Sequence, residues 1–335
     1  MEELDQALAL VHPIHATEEQ LLNGAGILEI TPQSFPLPTL GLKLRQLKEQ
    51  IVNGRGFQVI KGVPVWRYSK WQCAAAFYGL GCYLGDAVSQ NATGHLLGHV
   101  KDTGGDPSKP QTRLYTTSAA QPFHTDSCDI VGLMCLRPAI EGGMSTVTSS
   151  VTVQNELLRQ APHLAELLFR DFYNDRKGKN TVIADFSYSR LGTKYGELFS
   201  LFLTGEVPLG ADPWFLMPVF NNCEGRLLSM YDRSFIDAAQ KRFDELPRIS
   251  PEQIEALDLA DSLAASERLR LDMWLEPGDV QLIHNHVIWH ARTAFTDAPD
   301  DPDRKRHLLR VWLSLSDGWP LPECFAGKAV VWISI

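Results

Sequence analysis

His124-Thr125-Asp126, together with His290 far along the chain, offers two imidazoles and one carboxylate. That ligand set holds a non-haem Fe(II) on one face of an octahedron and leaves the opposite face open for a co-substrate and O2. The spacing has a structural reason. Side chains alternate across a strand, so the outer two residues of His-X-Asp share a side and can meet one metal. The second imidazole must then arrive from a distant strand. His284, His286 and His290 all lie in the right region, and on one continuous strand all three would share a face, so periodicity alone does not choose among them. Val287-Ile288-Trp289 is β-branched and aromatic, which favours a strand over a helical zinc-type pair at 286 and 290.

Positioning such ligands requires a β framework, and the patterning supplies one. Asp129 to Leu136 is a continuous apolar run, closed by Arg137-Pro138 and the Gly142-Gly143 turn, and Ser145 to Ser150 is extended. Trp214 to Phe220 and Leu227 to Tyr231 read as strands with Asn221-Asn222 between them. Leu269 to Leu275, Val280 to Ile283 and His307 to Ser316 follow, with Pro277-Gly278-Asp279 as a tight turn. Helical spacing marks 40–51, 69–83 and 153–168, and Ser250-Pro251-Glu252-Gln253 carries the start signals of a helix running to about residue 265. Late strands with early and inserted helices predict an α+β fold with a mainly β core, a double-stranded β-helix (jelly roll, cupin-like) with flanking helices. No linker divides it, so residues 1–335 read as one domain, with a core over about 90–316 and an N-terminal helical and strand buttress over 1–89. Asp102 to Pro110 is a loop or lid candidate.

Bulk properties narrow the partners. Of 335 residues, 44% are hydrophobic and 21% charged, an ordinary globular balance. A net charge of −9 gives no basic stripe for nucleic acid. No long uncharged apolar stretch suggests a membrane span, and the acidic start lacks a secretory n-region. Six cysteines without Cys-X-X-Cys pairing read as reduced residues of a cytoplasmic protein, with Cys128 and Cys135 mainly packing. The partner expected is a small-molecule substrate. The apolar stretch 329–335 could add a strand to the barrel or to a neighbouring subunit, leaving a homo-oligomer open.

Phe123-His-Thr-Asp126, Gly142-Gly143-Met144-Ser145, Pro277-Gly278-Asp279, Asn285 to Phe295 (NHVIWHARTAF) and Arg306-His-Leu-Leu-Arg310 occur in one order over roughly 90–316. In this the chain resembles the taurine dioxygenase-like (TauD/TfdA) family of Fe(II)/2-oxoglutarate oxygenases. The resemblance implies that His290, in its His-Ala-Arg-Thr-Ala-Phe context, closes a metal triad with His124 and Asp126, and that His286 and His284 have packing roles. It implies Fe(II), 2-oxoglutarate and O2 as the reactive set, with CO2 and succinate as co-products of substrate oxidation. Buried in a partly apolar barrel, the far carboxylate of 2-oxoglutarate needs a fixed cation, best a guanidinium. The resemblance assigns that role to Arg306, and gives Arg310, four residues on, to the substrate or the metal-proximal carboxylate. Ser145 stands where the family places a hydroxyl for the same carboxylate, with Thr146 beside it. Arg292 could serve nearby or form a core ion pair. Hydroxylation is the default outcome, with desaturation or cyclisation as alternatives from the same site. Halogenation is disfavoured because Asp126 is present. A zinc hydrolase would leave the paired arginines unexplained, and a metal-free binding protein would leave the intact ligand set unexplained. Arg310 favours an acidic substrate, and Tyr115, Phe123, Tyr231, Arg233 and Asn91 are further lining candidates.

Overall fold

Alternation along ten short segments decides the architecture of this computed structural model, which describes residues 2–11, 26–27, 29–90, 95–109, 112–176, 212–298, 301 and 304–326. The segments are β1 (Phe57–Ile60), β2 (Asp86–Val88), β3 (Leu97–Val100), β4 (Gln121–His124), β5 (Ile130–Arg137), β6 (Ser145–Ser149), β7 (Arg270–Met273), β8 (Val280–His284), β9 (Ile288–Arg292) and β10 (His307–Ser314). A six-stranded sheet runs β1-β8-β5-β10-β2, with β3 also on β10; a four-stranded sheet runs β7-β6-β9-β4. All these pairings are antiparallel.

Each strand sends alternate residues between the sheets. Val131 (β5), Ile283 (β8) and Trp312 (β10) meet Val147 (β6) and Ile288 (β9) in one inner cluster. The opposite parity faces helices. Ile130, Met134, Leu309 and Val311 pack against α2 (Leu40–Val52) and α3 (Lys70–Gly81), with α1 (Glu2–Leu10) behind them. Trp289 instead joins Val153, Leu157, Leu164 and Leu257 from α4 (Ser150–Gln160), α5 (Pro162–Leu167) and α7 (Pro251–Ala264). Burying each such side chain contributes ~1.5–3 kcal/mol, so this two-sided packing fixes strand register. The result is the expected jelly roll with helical flanks, β1 and β2 being contributed by the segment read as a buttress.

Local signals acted as their chemistry predicts. Ser69 and Ser250 accept from the backbone N–H of Gln72 and Gln253, whose side chains accept in return from the serine N–H groups. Gly142 (φ +73°) and Gly278 (φ +89°) need their missing Cβ: one would strike the Ala294 carbonyl oxygen, the other that of Val63. Three sequence readings are corrected. The helical stretch 153–168 is two helices, broken at Ala161 before Pro162. Asn221 and Asn222 lie inside the strand Phe220–Cys223, and the turn to Arg226–Ser229 falls on Glu224 (φ 50°) and Gly225 (φ 78°). Residues 284 to 290 are not one strand: β8 ends at His284, and a turn at 285–287 carries the chain into the other sheet. Helix α6 (Arg233–Arg242) and the strand Phe172–Asp175, which pairs with the expected strand at Trp214–Met217, had no expectation. Residues 102–109 carry no regular strand or helix, while Asn91, Pro110 and 329–335 lie outside the described residues.

Candidate active site

His124 ends β4 and His290 sits in mid-β9, directly opposite it in the register. Asp126 lies two residues beyond the strand end, in an irregular segment, so the alternation argument reaches only to His124. Backbone anchoring does the rest. The Thr125 N–H donates to the Tyr231 carbonyl at 2.7 Å, and the Tyr231 N–H donates to the Thr125 hydroxyl at 2.9 Å. The Asp126 N–H donates to Asn285 Oδ1 at 2.8 Å, while Asn285 Nδ2 donates to the carbonyls of Asp126 and Cys128. One buried amide thus fixes the carboxylate-bearing turn.

Ligand atoms of His124, Asp126 and His290, all buried, lie within 4.8 Å of one another. His290 Nε2 is 3.8 Å from Asp126 Oδ2, and the two imidazole centroids are 4.1 Å apart. His124 Nδ1 donates to the Pro122 carbonyl at 2.9 Å, which leaves Nε2 with its lone pair; the Gln121 amide donates to it at 2.8 Å. Burial pushes the His290 imidazole down to about 3, with His124 and Arg310 adding to the effect and Asp126 opposing it. Burial alone would raise the Asp126 carboxyl, but Arg310, His290, His124 and the Trp312 indole outweigh it and hold the group below its ordinary value. Two neutral imidazoles and an ionised carboxylate are the donor chemistry that a divalent iron needs.

The other histidines stand apart. His286, in the turn, bonds Asp129 Oδ1 through Nε2 at 2.8 Å. His284 packs edge-on against Trp319 at 4.6 Å, and burial pushes it too down to about 3. Between pH about 6.5 and 3 the unfolded chain takes up protons at positions 284 and 290 that the folded chain refuses. Metal-free protein is therefore expected to lose stability as pH falls through that window, at roughly 1.4 kcal/mol per pH unit per histidine. Denaturant unfolding at several pH values measures this; a flat profile from pH 6.5 to 4 would contradict it.

Arg310 and Trp312 share the inward parity of β10, and Arg306 immediately precedes that strand. Arg310 Nη1 reaches both Asp126 oxygens at 3.2 and 3.3 Å, and its Nε donates to Gln90 Oε1 at 2.8 Å. Its guanidinium lies over the Tyr115 and Trp312 rings at 4.6 and 4.8 Å, and Trp312 Nε1 donates to Asp126 Oδ2 at 3.0 Å. This contact with the ligand candidate Asp126 is separate from the two roles expected for Arg310, toward the substrate or toward the metal-proximal carboxylate of 2-oxoglutarate. Arg306 is 3% exposed, packed against Gly143 and over Phe295 at 5.1 Å, and its Nη1 is buried with no acceptor among the described residues. Burial pushes it down to about 10, opposed by Cys135 and Asp297, so it stays charged at neutral pH. A buried guanidinium N–H without an acceptor is costly unless an anion completes it.

Ser145, on β6, pairs with Arg292 across the sheet and has the inward parity of Val147. Thr146 points the other way and donates to Asp272 at 3.0 Å, which separates the two hydroxyls. Arg292 makes no core ion pair among the described residues. Its Nη2 donates to the carbonyls of Thr117 and Ala119, and its guanidinium lies 4.7 Å from the Phe295 centroid. Of the described lining candidates, only Tyr115 contacts the site's charged groups. Phe123 and Tyr231 belong to the helix-facing core, and Arg233 is bound by Asp237, Asp258 and Asp261. Gln90, Trp312 and Asn285 were missed as individual site residues, since glutamine, tryptophan and asparagine at those positions carry no metal-ligand signal. No described helix is long and apolar enough to cross a membrane.

Comparison with known proteins agrees with this geometry. Residues 20–312 match the model of the "Taurine catabolism dioxygenase TauD, TfdA family". The chain is 29% identical to FR-33289 synthase of Streptomyces rubellomurinus over 313 residues, covering 92% of this chain and 84% of that protein. It is 30% identical to the taurine hydroxylase-like protein SAT17 of Stachybotrys chartarum over 304 residues, 88% of this chain and 70% of that one. Among solved structures it resembles asparagine oxygenase in complex with Fe(II), 2S,3S-3-hydroxyasparagine and succinate, with a TM-score of 0.64, 17% identity and coverage of 93% and 91%. The chain belongs to the TauD/TfdA family and is an Fe(II)- and 2-oxoglutarate-dependent oxygenase.

Proposed function

We propose that His124, Asp126 and His290 hold the Fe(II), that Arg306 with Ser145 receives the far carboxylate of 2-oxoglutarate, and that the enzyme hydroxylates an unactivated C–H of a small acidic molecule. One observation carries the reading: two neutral imidazoles and a carboxylate converge in a barrel that also buries the Arg306 Nη1 with no partner among the described residues. A zinc hydrolase needs the first feature and gives no reason for the second. Bound iron and 2-oxoglutarate supply the O2-derived oxidant, releasing CO2 and succinate. The chain's residues set the conditions for it. Burial keeps His290 neutral, Arg310 and Trp312 keep Asp126 ionised and aimed, and the apolar walls Val131, Val147, Ile283 and Ile288 exclude water. Arg310, whose Nη1 and Nε are taken by Asp126 and Gln90, adds a positive charge beside the ligands and supports an acidic substrate. We read residues 1–335 as one domain acting in the cytoplasm, since the cysteines are free thiols.

The test is O2-dependent succinate release from 2-oxoglutarate by the Fe(II)-loaded protein across a panel of carboxylates, sulfonates, phosphates and uncharged analogues. Stimulation by acidic members is expected. A panel in which only uncharged compounds stimulate release would overturn the substrate class.

A further inference from the structure

Arg113 precedes the single helical turn Leu114–Thr116 and contributes to none of the roles above. Its half-buried guanidinium lies over the Phe235 ring at 5.3 Å and makes no hydrogen bond or ion pair among the described residues. Phe235 stands in the first turn of α6, whose N-cap, Asp232, bridges to the metal-ligand candidate His124. Two residues past Arg113, Tyr115 stacks on the guanidinium of Arg310. The same short loop therefore touches the surroundings of His124 through one side chain and Arg310 through the other. Burial pushes the Arg113 guanidinium down from its ordinary value. Tyr115, Asp232 and Asp126 act against that and Arg310 with it, so these groups share one electrostatic neighbourhood.

Charge balance gives the empty arm a partner. With iron bound, Asp126 and the two carboxylates of 2-oxoglutarate are answered by the metal and Arg306. Asp232 is occupied in capping α6, accepting from the Ser234 N–H at 2.8 Å. Arg310 and Arg113 then remain as two positive charges joined by the Tyr115 loop, and two guanidiniums match a dianion better than a monoanion.

We propose that Arg113 and Arg310 form a two-armed clamp for a phosphoryl dianion, phosphate or phosphonate, on the substrate, which makes Arg113 a specificity-determining residue. The inference rests on the reading of the site as an Fe(II)/2-oxoglutarate centre.

Anaerobic calorimetric titration of the Fe(II)- and 2-oxoglutarate-loaded protein with propylphosphonate, and with butyrate as the monoanion control, tests it. Wild type is expected to bind propylphosphonate more tightly than butyrate. Arg113→Gln should weaken propylphosphonate by about 10- to 100-fold, the value of one or two charge-assisted hydrogen bonds, with butyrate much less affected. Arg113→Lys should recover part of the loss; it also carries the test, through a smaller weakening, where the glutamine variant does not fold. Equal propylphosphonate affinity in wild type and Arg113→Gln overturns the clamp, as does butyrate binding to wild type as tightly as propylphosphonate. Failure of the wild-type protein to form the visible absorption band of an Fe(II)·2-oxoglutarate complex would instead overturn the underlying functional reading, so the two failures are distinguishable.

Discussion

Alanine at Asp126 or at His290 is expected to abolish both the visible Fe(II)·2-oxoglutarate band and O2-dependent succinate release. Changing even the outer hydrogen-bond partner of a metal ligand costs about 10–100-fold in affinity or activity. Loss of a ligand itself should therefore exceed about 100-fold. The informative contrast is with His286. It lies only four residues from His290, yet it sits in the turn between the two sheets and spends its Nε2 on Asp129. His286→Gln should destabilise the fold by breaking a buried pair with an ionised partner. At a temperature where that variant stays folded, the band should survive. A band lost in His286→Gln but kept in His290→Ala would mean that the ligand assignment is wrong.

Arg306→Gln should raise the KM for 2-oxoglutarate by roughly 100-fold, while kcat at saturating co-substrate falls far less. A buried charge-assisted pair is worth about 1.5–3 kcal/mol, and the glutamine keeps much of the volume while removing the charge. Arg306→Lys should recover little, because an ammonium cannot give two parallel hydrogen bonds to one carboxylate. Arg292 is the natural control. It too lies against Phe295, and its Nη2 serves the carbonyls of Thr117 and Ala119, while its Nε and Nη1 are buried without a partner among the described residues. If Arg292→Gln raises the 2-oxoglutarate KM more than Arg306→Gln, the co-substrate pocket has been assigned to the wrong guanidinium.

What was legible in the chain was whatever is encoded locally. Ser250 with Gln253 announced its helix because both halves of the capping box lie within four residues. The apolar runs at 130–137 and 307–314 announced strands because both their faces are buried, one by the opposing sheet and one by helices. His124, Asp126 and His290 were legible through their motif context and converge in the fold. What stayed hidden depends on where the chain crosses between sheets. Residues 284 to 290 look like one alternating strand, and no local residue says that Asn285 leaves the sheet to bind the Asp126 turn. Gln90 and Trp312 become site residues only when β2 and β10 pair, a contact between distant segments. Arg113 gave no signal because a loop arginine without a motif reads as a solvated charge until Phe235 and Tyr115 locate it.

The most direct test of the central claim is an iron-edge anomalous diffraction map from crystals of the protein prepared anaerobically with Fe(II) and 2-oxoglutarate. The account predicts a single strong iron peak bonded to His124, Asp126 and His290, with the far carboxylate of 2-oxoglutarate on Arg306. An iron peak at His284 or His286, or one coordinated by protein alone with 2-oxoglutarate elsewhere, would contradict it.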